Sequence, residues 1–122
     1  MSEVRVLVVD DQEPYRRAMA AVVDATEGFV VVGTSGTGEE SLVAVPELRP
    51  CLVLMDVNLP GISGVEAAKR LQDAEGDRPV VVLLSTYDED EFDRSAAGAA
   101  AYVSKAAFSP ERLVQVWREA TG

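Results

Sequence analysis

The sequence contains no histidine, a single cysteine and only two lysines. A lone cysteine excludes an internal disulfide, and without histidine or a second thiol the usual zinc sites are excluded as well. Cys51 opens an apolar run, Cys51-Leu-Val-Leu-Met55, which predicts that it is a small buried hydrophobic residue. With a net charge of −10, the chain lacks the basic clusters that neutralise nucleic-acid phosphates. We therefore expect this domain itself to bind no nucleic acid.

Long hydrophobic runs are also absent. No apolar stretch approaches the ~18 residues needed to cross a bilayer, and the chain does not open on a basic segment followed by an apolar one. We expect a cytoplasmic protein without membrane contact. A length of 122 residues, 48% of them hydrophobic, is enough for one buried core. The sequence therefore predicts one domain over residues 1–122.

Short apolar segments rich in β-branched residues recur along the chain, and each is followed by a segment with helical features. This alternation predicts parallel strands joined by helical crossovers, with both faces of the sheet covered. The expected architecture is an α/β sandwich of three layers. The five predicted strands are Val4–Val9, Phe29–Val32, Leu52–Met55, Val80–Leu84 and Ala100–Val103.

Helix starts are marked by capping residues. Thr37 and Glu40 form one capping-box pattern and Ser63 and Glu66 form another, while Ser109-Pro110 marks the start of the fifth helix. The first helix is indicated instead by a stripe at helical spacing: Tyr15, Ala18, Met19, Val22 and Val23.

The fourth predicted helix has the weakest apolar face. Phe92 is its only large apolar residue between Asp88 and Gly98. Because a helix with little surface to bury depends on few tertiary contacts, we expect it to be short and more mobile than the others.

Polar residues follow four of the predicted strands. Asp10-Asp11, Asp56, Ser85 and Lys105 lie after the first, third, fourth and fifth strands, so they should meet at one edge of a parallel sheet. Carboxylates gathered there repel one another unless a cation is present. Oxygen ligands without histidine favour Mg²⁺, and Lys105 would add a second positive charge.

Each of these residues also has an ordinary structural explanation. An aspartate after a strand is often a helix cap or a turn former, a serine often bonds to the backbone, and a lysine is usually a solvated surface charge. The convergence of all of them on one edge favours a functional site.

With these residues in place, the whole chain resembles the receiver domains of bacterial two-component response regulators. The pattern is most similar to receivers that precede helix-turn-helix output domains in nitrate- and quorum-response regulators. The resemblance rests on Val-Val-Asp10-Asp11-Gln12, Leu-Met-Asp56-Val-Asn58-Leu-Pro60-Gly61-Ile-Ser-Gly64, Leu-Ser85-Thr-Tyr87 and Ala-Tyr102-Val-Ser-Lys105.

The resemblance implies a flavodoxin-like (βα)5 fold with strand order 2-1-3-4-5. It implies that Asp56 accepts a phosphoryl group from a sensor histidine kinase, with slow self-dephosphorylation and no other enzyme activity. Asp10, Asp11, Asp56 and the Asn58 carbonyl would hold Mg²⁺, while Ser85 and Lys105 would contact the phosphoryl group.

The resemblance also implies a switch. Movement of Ser85 toward the phosphoryl group would let Tyr102 turn inward and change the surface formed by the fourth helix, fifth strand and fifth helix. That surface would serve the output and would be a candidate for homodimerisation.

The sequence departs from the family pattern in three places. Thr86 stands where alanine is common, which would restrict access to the phosphoryl group, as would Tyr87 if it overhangs the site. Pro46 falls inside the second helix, which we therefore expect to end early or kink. The segment between Ser85 and Lys105 is slightly short, and the loss falls in the fourth helix.

Two other functions are compatible with part of the pattern. A haloacid-dehalogenase-type phosphatase also uses an aspartate nucleophile and Mg²⁺, but it carries Asp-x-Asp after its first strand, whereas here Asp10 and Asp11 are adjacent. In addition, Asn58 cannot act as a general acid. The second alternative is a degenerate receiver that works only as a protein-interaction module, against which the complete set of site residues argues.

Overall fold

The computed structural model describes residues 3–74, 76, 78–86 and 99–122. Five parallel strands form one sheet in the order β2-β1-β3-β4-β5, which confirms the predicted flavodoxin-like topology. The strands are β1 (Val4–Val9), β2 (Phe29–Ser35), β3 (Leu52–Asp56), β4 (Val80–Ser85) and β5 (Ala101–Ser104).

Four helices are found among the described residues: α1 (Glu13–Asp24), α2 (Gly38–Leu48), α3 (Gly64–Asp73) and α4 (Pro110–Thr121). A single 3₁₀ turn, Lys105–Ala107, follows β5. The C-terminal helix α4 is the one predicted as the fifth. The predicted fourth helix lies in residues 88–98, outside the described residues, and the expectation that it is short and mobile lies there with it.

The predicted helix starts are confirmed. Thr37, Ser63 and Ser109 each accept a hydrogen bond from the backbone N–H three residues later, at 3.0–3.1 Å. α2 runs past Pro46 to Leu48, so it does not end at the proline, and the alternative of a kink stays a prediction. The proline removes one backbone donor, and the helix ends two residues later, before Arg49, which is in the left-handed conformation.

Alternate residues of each strand face opposite sides of the sheet, so two cores form. On one side, strand residues such as Leu7, Met55 and Leu83 pack with α2 and α3. On the other side, residues such as Val8, Leu54 and Leu84 pack with α1 and α4. The sheet is thus the middle layer of the predicted three.

The strand boundaries differ from the predicted ones mainly at the ends. β3 and β4 each extend by one residue, so that Asp56 and Ser85 are the last residues of their strands. Cys51 directly precedes β3 and is exposed, so the prediction of a buried hydrophobic role is wrong. The apolar run contains the strand, but its first residue lies at the uncovered amino edge of the sheet.

The strand order reverses between β1 and β3, which makes this position the topological switch point of the sheet. β1 pairs with β2 on one side and with β3 on the other, so the connections leave these strands toward opposite faces. A crevice forms at such a point beyond the carboxyl ends of the strands. Among the described residues, no helix is long and apolar enough to span a membrane.

Candidate functional site

Three carboxylates meet beyond the carboxyl ends of β1 and β3, as predicted. One oxygen from each of Asp10, Asp11 and Asp56 lies within 4.8 Å of the others. Asp10 is fully buried and Asp56 is 5% exposed, whereas Asp11 faces solvent. Ligand oxygens around one Mg²⁺ are at most ~4.2 Å apart, twice its usual bond length. A small approach of the side chains would therefore enclose the ion, and the all-oxygen set suits it.

Lys105 provides the positive charge of this site. Its Nζ donates to Asp10 Oδ2 at 2.7 Å and lies 3.5 Å from Asp56 Oδ1, and the lysine side chain is only 9% exposed. The 3₁₀ turn that begins at Lys105 is capped by the Ser104 hydroxyl, which accepts from the Ala106 N–H. This turn directs the lysine from the end of β5 back across the strand ends.

Asp10 is held at both its side chain and its backbone. Its Oδ1 accepts a hydrogen bond from the Gln12 N–H at 2.9 Å, while its carbonyl accepts one from Arg16 Nη1 at 2.9 Å. The first turn of α1 is thereby tied to the end of β1. Asp10 consequently presents Oδ2 to Lys105 in a fixed orientation.

Burial raises the pKa of the Asp56 carboxyl above its ordinary value of 3.8. The positive charge of Lys105 opposes this effect, the negative charge of Asp10 adds to it, and a backbone hydrogen bond from Asn58 opposes it. Two opposing effects thus act on the pKa of Asp56: burial raises it and the neighbouring cation lowers it. Perturbed carboxyls of this kind are characteristic of functional sites.

The loop after β3 follows a tight path that two glycines permit. Gly61 has φ +73°, a conformation that side chains disfavour, and a Cβ at Gly64 would lie 2.0 Å from the Asp56 carbonyl oxygen. Asn58 is exposed in this loop, and its backbone N–H faces the Asp56 carboxylate. The role of its carbonyl as a metal ligand stays a prediction.

Ser85 and Tyr102 lie on neighbouring strands. Ser85 is fully buried, one residue beyond the Leu84 that pairs with Asp56. Tyr102 is 4% exposed and belongs to the core on the α2 and α3 side of the sheet. Its ring thus occupies the inward position that the expected switch assigns to the phosphorylated state. The part played by either residue in a switch stays a prediction.

Sequence reasoning missed two residues that shape the site. The Tyr15 ring lies under the Lys105 ammonium, with Nζ 3.9 Å from the ring centroid. Arg16 reaches the Asp10 carbonyl, as described above. The helical spacing assigns Tyr15 only to the apolar stripe of α1, although its position in the first turn after a strand-end aspartate is a signal that it borders the site.

An apolar groove of about 400 Å³ adjoins the site between α1, the end of β4 and residues 105–108, which follow β5. Tyr15 and Lys105 form its polar end, and Met19 and Phe108 are among its apolar lining. Thr86 is exposed and lines the same groove. Its expected effect on access to a phosphoryl group stays a prediction, and Tyr87 lies outside the described residues.

We expect Asp56→Asn to stabilise the metal-free protein at neutral pH. The pKa of Asp56 is raised in the folded chain, so between pH 3.8 and that raised pKa the folded chain binds more protons than the unfolded chain. The free energy of unfolding therefore falls as pH rises from 3.8 through the raised pKa. Asparagine does not ionise and avoids this loss. Thermal unfolding should show a higher Tm, by roughly 3–5 °C for each kcal/mol relieved. The difference should shrink toward pH 4, and a lower Tm for the variant at pH 7 would contradict the described electrostatics.

Residues 6–118 match the response regulator receiver domain family. The chain is 42% identical over 106 residues to response regulator GacA of Pseudomonas protegens, covering 85% of this chain and 49% of that protein. It is 34% identical to transcriptional regulatory protein LiaR of Bacillus subtilis, covering 88% of this chain and 52% of that protein. The chain thus spans about half the length of these curated relatives.

Solved structures show the same relationship. The signal receiver domain of a NarL response regulator from Mycobacterium tuberculosis superposes with a TM-score of 0.88 at 27% identity, covering 100% of this chain and 99% of that one. A LuxR-family two-component response regulator from Aurantimonas sp. SI85-9A1 gives 0.85 at 28% identity, covering 99% and 87%. These relatives confirm the predicted subfamily resemblance. The chain belongs to the response regulator receiver domain family and is a receiver domain of a two-component response regulator.

Proposed function

We propose that residues 1–122 act as one phosphorylatable receiver domain in which Asp56 accepts the phosphoryl group. The observation that carries the proposal is the position of Asp56. It is nearly buried at the end of β3, 3.5 Å from the Lys105 ammonium and within 4.8 Å of an oxygen from each of two further carboxylates. Such an arrangement combines a nucleophile, a fixed cation and a set of hard oxygen ligands. The degenerate alternative is not favoured, because none of these groups is missing.

Asp10, Asp11, Asp56 and the Asn58 carbonyl would hold Mg²⁺. When bound, Mg²⁺ shields the negative oxygens of the incoming phosphoryl group from the attacking carboxylate. The three carboxylate oxygens fit this role because they are hard donors already within 4.8 Å of one another. Asp11, the exposed member, leaves one side of the site open to water, which Mg²⁺ retains readily.

In the proposed reaction, an Asp56 carboxylate oxygen attacks the phosphorus of a phosphohistidine or a small acyl phosphate. The new O–P bond forms as the bond between phosphorus and the donor breaks, and the donor leaves with that electron pair. Lys105 favours the ionised, attacking form of Asp56 and is close enough to pair with a phosphoryl oxygen. The Ser85 hydroxyl, at the end of the adjacent strand, would donate to another phosphoryl oxygen.

Phosphorylation would act through the surface around β5. Ser85 on β4 pairs with Ser104 on β5, two residues beyond Tyr102. A displacement of Ser85 toward the phosphoryl group would therefore shift β5, the strand that contains Tyr102. We propose that the phosphoryl group favours the inward position of Tyr102, by population shift rather than by creating a new conformation.

A sensor histidine kinase is the proposed donor, and control of transcription is the proposed output. The name of the relative LiaR describes a transcriptional regulatory protein, and the curated relatives are about twice as long as the matched segment. The surface comprising β5, α4 and the predicted fourth helix is the proposed site for the output and for any homodimer. The proposed location is the cytoplasm.

Removal of Mg²⁺ should abolish phosphorylation. The purified chain incubated with acetyl phosphate and Mg²⁺ should gain the mass of one phosphoryl group, whereas the same reaction with excess chelator should give none. The reason is that carboxylates repel the incoming anion when no cation neutralises them. Asp11→Asn should resemble the chelated wild type, and calorimetry should show that it binds Mg²⁺ more weakly.

This experiment also separates the alternatives. A degenerate receiver would gain no mass with or without Mg²⁺. A phosphatase would release many equivalents of inorganic phosphate from small phosphate esters, which we expect this chain not to do. Equal labelling with and without chelator would contradict the proposed metal site.

A further inference from the structure

We propose that Tyr15 is a positioning residue that holds the Lys105 ammonium at the site through its aromatic ring. The inference rests on the proposed phosphorylation of Asp56 and adds a residue to that chemistry. Among the described residues, Lys105 Nζ contacts Asp10 at 2.7 Å, Asp56 at 3.5 Å and the Tyr15 ring, whose centroid is 3.9 Å away. The ring therefore covers a side of the ammonium that neither carboxylate occupies.

The contact is geometrically strong. An ammonium within about 6 Å of a ring centroid is attracted by the negative face of the ring, most strongly where water is excluded. Here the lysine side chain is only 9% exposed, so the ring replaces much of the water that would otherwise solvate the charge. Tyr15 itself is 37% exposed, which places it at the boundary between the site and solvent.

Tyr15 is also well anchored along the chain. It follows Pro14 in the first turn of α1, and that turn is tied to the end of β1 by the bonds from Gln12 and Arg16 to Asp10. The backbone that carries the ring is therefore held close to the end of β1, where Asp10 lies. Lys105 comes from a distant part of the sequence and contacts both the ring and Asp10.

The groove explains why loss of the ring should matter. Beside Tyr15, the groove of about 400 Å³ offers space toward Ala18 and Phe108 into which a released lysine side chain can turn. Without the ring, the ammonium would sample positions farther from Asp56 and from an incoming phosphoryl oxygen. The expected consequence is slower phosphoryl transfer with an unchanged acceptor.

The test compares two substitutions at this position. Tyr15→Leu keeps an apolar side chain and removes the aromatic face, and it should slow labelling by acetyl phosphate with Mg²⁺ about three- to tenfold, within the range of a cation–π contact. Tyr15→Phe restores the ring and should recover the rate to within about twofold. The inference would be overturned if Tyr15→Leu were labelled as fast as the wild type. It would also be overturned if the labelling rate fell equally in Tyr15→Leu and Tyr15→Phe.

A second measurement observes the contact without phosphorylation. Because the chain has only two lysines, ¹³C-labelled lysine gives separable signals, with the exposed Lys69 as an internal reference. The side-chain ε-protons of Lys105 should be shifted upfield by the ring current in wild type and Tyr15→Phe, but not in Tyr15→Leu. An unshifted Lys105 in wild type refutes the contact. If the wild type shows the shift but takes no phosphoryl group, both the proposed function and the positioning role are refuted. If the wild type is labelled and Tyr15→Leu is labelled at the same rate, only the role of Tyr15 is refuted.

Discussion

Asp56→Asn is expected to take no phosphoryl group from acetyl phosphate under conditions in which the wild type is labelled. The substitution preserves the size of the side chain and removes its charged nucleophilic oxygen. Because the lost group is the acceptor itself, the labelling rate should fall by at least about a thousandfold. Intact mass measured over a time course gives both the rate and the final yield.

The matched control for this change is Asp24→Asn, which removes one exposed carboxylate at the end of α1. It makes the same change in net charge far from the strand ends and should be labelled like the wild type. If Asp56→Asn were labelled at the wild-type yield, another residue would be the acceptor, and the assignment of Asp56 would be wrong.

Lys105→Met is expected to destabilise the protein strongly when Mg²⁺ is absent. It removes the cation that pairs with Asp10 and Asp56 and leaves two largely buried carboxylates without compensation. Breaking a buried ion pair on one side typically costs about 3–5 kcal/mol. Since Asp56 can take up a proton, we expect a loss near the lower end of that range in urea unfolding. Added Mg²⁺ should restore part of the loss by replacing the missing charge.

Phosphoryl transfer should fall in the same variant, roughly a hundredfold or more, because a fixed positive charge that faces the developing phosphoryl charge is lost. Lys69→Met is the natural control, since Lys69 is exposed on α3 and is the only other lysine. We expect Lys69→Met to have the same stability toward urea and the same labelling rate as the wild type. Equal destabilisation of the two variants, or normal labelling of Lys105→Met, would show that the buried ion pair has no special role.

The fold and the location of the site could be predicted because both depend on local patterns and on topology. Caps at Thr37, Ser63 and Ser109 act within a few residues, so the sequence contains them directly. The meeting of Asp10 with Asp56 follows from the rule that parallel strands end at one edge. Neither prediction requires knowledge of how individual side chains pack.

The remaining features depend on contacts between distant segments or on a single residue of register. The contact of Tyr15 with Lys105 joins the first helix to the turn after the last strand, and no short-range pattern reveals it. Cys51 shares its apolar run with a buried strand but lies one residue before it, which is enough to expose its side chain. Pro46 predicts that α2 ends early or kinks, and the helix in fact continues two residues beyond it to Leu48.

The central claim, that Asp56 is the phosphoryl acceptor, is tested most directly by locating the modified residue chemically. The protein is labelled with acetyl phosphate and Mg²⁺ and then treated with borohydride, which reduces an aspartyl phosphate to homoserine. Peptide mapping should find homoserine at position 56, only in the labelled sample, with Asp10 and Asp11 unchanged. Homoserine at position 10 or 11, or a phosphoryl group retained on Ser85, would contradict the account.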